Sequence, residues 1–355
     1  MPDIIDEINQ NSMNHMQQIL LGDKTEIFAL DYESMSELLA QSMVAQKNDY
    51  EYCGELNRKI CARMNELGVG VESTLVYGTR KRGFLIRGRD SAVLRTNGEK
   101  IREAVEEISG TPLTMSIEGA DDGYTDVIMR TARQYRAEYA KRTLKADGED
   151  GFCGDTVNIF ENSSDCFYSF ISDGMGSGRD AAFTSGICSV FLSKMLSASN
   201  RCDTSLRMLN GFLRNKGNGS MHECSATVDL MELDMITGKA SFYKSGAAPT
   251  YVFREGSLFK LRSNTVPVGI IKELDAKKMS FDVGDGDVVV MVSDGVTQSR
   301  EECPWLYDLL RANIGKEGLE HIADMIVERA KKEGATDDIS VVVIKISREN
   351  PGKEP

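Results

Sequence analysis

Three apolar runs of strand length in this chain meet an aspartate at one end. Residues 166–171 lead into Ser-Asp173-Gly174, Val288–Val292 lead into Ser-Asp294-Gly295, and Asp337-Asp338 stand directly before the run 339–346. Asp155, after Cys153-Gly154, is a fourth acidic position of the same kind. A strand that stops at Asp-Gly sets a carboxylate at a sheet edge, beside backbone that glycine leaves open to a ligand. One Asp-Gly is an ordinary turn. Several converging strand ends would build a cluster of carboxylates that cannot all stay ionised without a cation. Oxygen donors of this kind favour Mg²⁺ or Mn²⁺ over zinc.

The order of elements around these ends gives the fold class. Residues 1–21 and 32–67 carry apolar positions at helical intervals, with Gly68 as a C-cap. These helices either pair with a second copy or pack on their own domain. Beyond Val69 the period shortens. Residues 69–78, 82–88, 113–119 and 124–132 read as strands and Gly98–Ser109 as a helix, a small α/β unit of the kind that senses or docks. Arg80, Lys81, Arg82, Arg87 and Arg89 are read as its solvated strand face.

The charged, glycine-punctuated segment 141–151 marks the domain boundary. After it come two helices over 179–197 and 203–215 and a hairpin of 224–233 with 239–244. A second hairpin turns at Glu255-Gly256, and a helix is expected over 314–332 before the last strand. The expected architecture is α+β: an antiparallel β-sandwich flanked by helices. The domains are an N-terminal helical segment (1–68), a regulatory α/β domain (69–147) and the sandwich (148–350).

Composition removes several functions. A net charge of −13 over 355 residues repels phosphate backbones, so nucleic acid is not an expected partner. The longest apolar runs fall well short of a bilayer span, and the acidic N-terminus lacks the features of a signal peptide. The sequence therefore reads as soluble and cytoplasmic. Eight cysteines without a C-x-x-C pair and three histidines give no zinc or thioredoxin-like motif. The glycines after Asp173 do not follow the dinucleotide pattern, and the aspartate would repel a pyrophosphate. Cys153 and Cys166 have no neighbouring histidine to activate them and read as packing thiols.

Taken in order, F-C-G-D, S-D-G-M-G-S-G, K-S-G-A-A-P, P-V-G-I, V-S-D-G-V and T-D-D-I-S-V-V-V resemble the metal-dependent (PPM, type 2C) protein phosphatases over residues 150–347. The branch they look most like is the stage II sporulation protein E group. The resemblance implies hydrolysis of phosphoserine or phosphothreonine by a water bridging two Mn²⁺ or Mg²⁺ ions. Asp155 would hold one metal. Asp173 would bridge both, with the Gly174 carbonyl as a further ligand. Asp294 and Asp337 would complete the set, and Asp338 would support it from behind. It further implies a role in signal transduction, sporulation and sigma-factor regulation, with a phosphorylated anti-anti-sigma-factor-like protein as substrate. The helices after Asp173 would act as a switch driven by the N-terminal domain.

Two departures stand out. The eukaryotic branch holds the phosphate with an arginine just before the first acidic ligand, where residues 151–154 offer none. It also has a histidine after the bridging Asp-Gly, where this chain has Met175. Slow turnover and a site completed by regulation or substrate are expected. Relatives carry a multi-span membrane region ahead of the regulatory domain. No transmembrane segment occurs in this sequence, so it is a soluble variant or a fragment. Two other readings stay open: a stress-response-type phosphatase activated by a partner, and a non-catalytic phosphoprotein-binding module.

Overall fold

The computed structural model describes residues 51–79, 81–120, 123–146, 151–176, 178–217, 224–274, 276–298 and 302–349. The helix expected over 1–21, most of the one over 32–67 and the homodimer contact ascribed to them fall outside these residues.

The first unit holds α1 (Gly54–Glu66), β1 (Ser73–Tyr77), β2 (Gly83–Gly88), α2 (Ser91–Thr96), α3 (Gly98–Ser109), β3 (Leu113–Gly119) and β4 (Thr125–Thr131). Its four strands form an antiparallel sheet in the order β1-β2-β4-β3. Ile60 and Met64 of α1 and Ile101, Ala104 and Val105 of α3 are spaced to one helical face, and they bury against Phe84, Ile86, Val127 and Met129. Helix α1 thus belongs to this unit's core. Gly110, at φ +68°, ends α3 in the left-handed conformation that glycine takes without penalty. The basic run is largely spoken for. Arg87 pairs with Asp126 and Arg89 with Glu72, while Lys81 reaches Ser164 and Asp234 of the second unit.

The second unit is a four-layer α-β-β-α sandwich. One sheet runs β11-β10-β13-β14-β5 and the other β12-β9-β8-β7-β6. The strands are β5 (Tyr135–Leu144), β6 (Asp155–Glu161), β7 (Cys166–Gly174), β8 (Ala226–Asp234), β9 (Lys239–Ser245), β10 (Thr250–Arg254), β11 (Ser257–Leu261), β12 (Lys277–Asp282), β13 (Val288–Val292) and β14 (Ile339–Arg348). Helices α4 (Gly178–Ser197) and α5 (Cys202–Gly217) cover the second sheet. Helices α7 (Pro304–Asn313) and α8 (Leu319–Lys332) cover the first, and the single turn α6 (Asp294–Thr297) follows β13.

Alternation along the strands explains the layering. In β13, Val288, Val290 and Val292 face α7 and α8, whereas Val289 and Met291 enter the layer between the sheets. With both faces covered, the strand reads as a continuous apolar run. At the tip of the β10–β11 hairpin, Glu255 and Gly256 both take positive φ (48° and 78°), which the right-handed strand twist favours there.

Three sequence expectations need correction. The helix expected over 314–332 begins at Leu319. Gly315 turns the chain at φ +84°, and the residues before it form the separate helix α7. Strand β5, ahead of the expected boundary at 147/148, pairs along its whole length with β14 and is part of the sandwich. Strand β12 is an addition to the expected set, an edge strand whose only apolar residues are Met279 and Phe281 among charged and polar neighbours.

The two units meet at the start of β5. The amides of Gln134 and Tyr135 both donate to the Met235 carbonyl, and Arg133 pairs with Glu161 and Asp165.

Candidate active site

The four aspartates come from two strand ends on each sheet. On the second sheet Asp155 opens β6 and stands directly across from Asp173 on β7. Both positions share the face that carries Val157, Ile159 and Ile171 into the layer between the sheets, so both carboxylates lie at the rim of that layer. On the first sheet β13 and β14 are paired up to Val292 and Val341, with the Ser293 amide donating to Ser340 beyond. Asp294 and Asp337 follow on the adjoining strand ends.

Glycines let these ends approach. A Cβ on Gly174 would lie 2.0 Å from the Ala181 carbonyl oxygen, so the glycine admits α4 against the end of β7. A Cβ on Gly295 would lie 2.0 Å from the carbonyl oxygen of Asp338, so that glycine admits the chain entering β14.

Asp338 ties the sheets together. Its two carboxylate oxygens accept from the amides of Ala146 and Gly154, fastening the end of β5 and the entry to β6. Charge-assisted hydrogen bonds of this type are among the stronger ones. One oxygen of Asp337 accepts from the Asp338 amide at 2.8 Å. Ser293 and Ser340, from the other sheet, lie close enough to Asp155 to favour its ionised form, while their hydroxyls donate to the Asp338 carbonyl and to Thr143. The sequence marks Asp338 as support but does not single out Ser293 or Ser340. Their only trace is a small polar residue where each apolar strand meets its aspartate.

The electrostatics are those of a site short of positive charge. Asp155 is 7% exposed, and its Oδ2 is buried without a hydrogen-bond partner. An orphaned buried carboxylate oxygen is costly and calls for a ligand. Burial pushes the Asp155 carboxyl up to about 7, helped by repulsion from Asp294 and Asp338. Burial first, then repulsion from Asp155, Asp294, Asp337 and Asp338, pushes Asp173 up to about 8. Among the described residues no three His, Cys, Asp or Glu side chains close into a compact ligand set. The donor set, all oxygen with one oxygen unpaired, fits a hard divalent cation.

Cys153 stands beside the site and Cys166 at the opposite end of β7 from Asp173, and burial raises the two thiols to about 12 and about 11, which leaves neither a nucleophile at neutral pH. Beside Asp294 opens a cavity of about 480 Å³, walled by the loop 246–249 and by the end of β11.

Two facing antiparallel sheets between helix pairs, with aspartates at the strand ends of both, are the architecture of PP2C phosphatase domains. The Stage II sporulation protein E (SpoIIE) family matches residues 163–347, more than half of the chain, and the chain belongs to that family.

The chain is similar to the stage II sporulation protein E of Bacillus subtilis (strain 168), 26% identical over 237 residues, which are 65% of this chain and 28% of that protein. It is also similar to the protein of that name from Priestia megaterium, 27% identical over 212 residues, covering 58% and 36% of the two chains. The match thus spans about a third of the length of these curated relatives.

Among solved structures, the PP2C phosphatase domain and regulatory-domain fragment of the cell fate determinant SpoIIE from Bacillus subtilis superposes with a TM-score of 0.71. Identity is 20%, over 96% of this chain and 99% of that one. Among the described residues no helix is long and apolar enough to cross a membrane.

Proposed function

We propose that the chain is a divalent-metal-dependent phosphatase acting on phosphoserine or phosphothreonine in a protein. Asp155, Asp173, the Gly174 carbonyl, Asp294 and Asp337 would hold two Mn²⁺ or Mg²⁺ ions. The observation that carries this reading is the buried Asp155 carboxylate, with one oxygen unpartnered, directly across the strand pair from Asp173. Bound there, the ions would supply an acidified water and neutralise charge on the phosphoryl oxygens in an in-line displacement.

The chain's own residues supply position. Asp338 holds the entry to β6 against the start of β14. Ser293 and Ser340 place polar hydroxyls near Asp155 from the opposite sheet. Gly174 brings α4 close enough that a movement of this helix would shift the end of β7. His321, the one histidine among the described residues, is exposed on α8, so water or a residue of another type would protonate the leaving serine oxygen.

In the cell the substrate would be an anti-anti-sigma-factor-like phosphoprotein in the cytoplasm, with activity set by the N-terminal unit. Phosphate release from a phosphoserine peptide, titrated with Mn²⁺, tests the reading. Metal-dependent turnover that disappears in Asp173→Asn and Asp294→Asn is the expected result. Turnover that persists without metal, or in both variants, would overturn it.

A further inference from the structure

The cavity beside Asp294 is walled partly by positive charge in a chain that is acidic overall. Lys260 and Arg262, two residues apart at the end of the edge strand β11, line it together with Ser263, Asn264 and Thr297. Lys260 lies within the strand and Arg262 one residue past its end. The Lys260 side chain is only 12% exposed, and its ammonium lies 3.5 Å from Glu302, a carboxylate that is 70% exposed. A carboxylate so weakly held can be replaced by another.

The wall behind these cations is firmly built. The loop 246–249 is stapled to residues 263–266. Thr265 Oγ1 accepts from the Gly246 amide at 3.2 Å and donates to the Lys244 carbonyl at 3.1 Å, while Ser245 donates to the Val266 carbonyl at 2.7 Å. Gly246 takes φ +65°, and a Cβ there would meet the Pro267 ring at 2.6 Å, so the loop has little room to shift. Beneath it the buried Lys244 ammonium donates to Thr250 at 2.9 Å and pairs with Asp229 at 2.6 Å, tying together the strand ends that flank the loop. The backbone beside these cations is thus fixed, which limits the reordering that binding an anion there would need.

Asp294 lines both this cavity and the carboxylate centre. A phosphoryl group over the centre would therefore leave a neighbouring peptide residue, one or two steps of roughly 3.5 Å along the chain, at the mouth of the cavity. We propose that the cavity seats a carboxylate side chain flanking the phosphorylated residue of the protein substrate, with Lys260 and Arg262 as its specificity residues. The inference rests on the phosphatase reading for where the phosphoryl group lies, and it adds a preference for acidic sequence around the phosphosite.

The test measures fluorescence anisotropy of labelled peptides on the full chain with Mn²⁺. Each peptide carries a non-hydrolysable phosphonate in place of phosphoserine, flanked by glutamates, glutamines or lysines. The glutamate peptide should bind about tenfold more tightly than the glutamine peptide, the gain expected from two partly exposed ion pairs. That ratio should shrink as salt is raised. In a Lys260→Glu/Arg262→Glu variant that keeps its circular-dichroism melting curve, the preference should pass to the lysine peptide.

A Lys260→Gln/Arg262→Gln variant should bind all three peptides alike, which keeps the test open if charge reversal prevents folding. Equal binding of the three peptides by the natural chain, absence of binding, or a preference that survives charge reversal would overturn the proposal. Phosphate release from hydrolysable peptides separates the two ideas. Turnover without flank preference removes the seat and leaves the phosphatase, whereas cavity-dependent preference without turnover does the opposite.

Discussion

Two buried aspartates in the same layer between the sheets meet opposite electrostatic fates. Asp229 on β8 and Lys244 on β9 are direct cross-strand partners, both essentially inaccessible, and Thr250 of the facing sheet closes the group with a hydrogen bond to each. Asp155 and Asp173 are also direct cross-strand partners on that face, near its rim, but both are acidic. Asp155 and Asp229 each keep one carboxylate oxygen without a partner. In the interior the chain supplies its own cation. At the rim it gathers further acid, leaving a deficit of positive charge that a cation from solution can meet. A buried carboxylate close to its counter-ion needs no further partner, whereas one held among its own kind is a candidate for a cation from solution.

The largest effect that would sharpen this contrast is catalytic. Asp173→Asn should lower Mn²⁺-dependent phosphate release by about a thousandfold, the loss of several kcal/mol of transition-state stabilisation. A steady-state assay on the full chain checks it.

The interior pair should answer in stability instead. Lys244→Met leaves Asp229 buried without its cation and should cost about 3–5 kcal/mol in urea unfolding, whereas Lys244→Met/Asp229→Leu should recover most of that. Equal losses in the single and double variants would show that the site needs its shape and not its charge balance.

The rim predicts a pH dependence in the metal-free chain. Asp155 and Asp173 hold protons in the folded state up to about 7 and about 8, against an ordinary value of 3.8 when unfolded. Between these limits the folded state binds more protons than the unfolded one. Metal-free stability should therefore be greatest near pH 4–5 and fall by several kcal/mol as pH rises to 8. Saturating Mn²⁺ at pH 8 should restore about 3 kcal/mol at a hundred times its dissociation constant. Thermal melts across pH, with and without metal, check both. Asp155→Asn should flatten the metal-free profile.

The smallest effect belongs to an exposed pair. Arg133 binds Glu161 and Asp165 where the two units meet, with its side chain 38% exposed. Arg133→Ala should cost no more than about 1 kcal/mol in urea unfolding, and less at high salt.

Much of this arrangement is legible in the order of residues. Asp-Gly at the end of an apolar run is a local signal, and it marks the strand ends of Asp173 and Asp294 as well as the start of the helices beyond Asp173. Glu255-Gly256 marks the β10–β11 hairpin, since a two-residue turn with positive φ needs that chemistry. Helix α7 is harder to see because its short apolar pattern runs on toward that of α8, and only the turn at Gly315 separates them. Lys244 gives no hint of its burial. In Lys-Ala-Ser-Phe-Tyr-Lys a terminal lysine looks like the last solvated residue of a strand, and nothing nearby announces Asp229.

Which residues stand at strand ends is thus written locally, because Asp-Gly and apolar alternation act through sterics and solvation over a few residues. Which carboxylate does what is settled only when the sheets close. Asp338 faces backbone amides up to 192 positions away, and Asp155 meets serines of the other sheet. Those contacts depend on strand register and on the packing of one sheet over the other. Both are set by long-range pairing and core burial, which no local run of residues encodes.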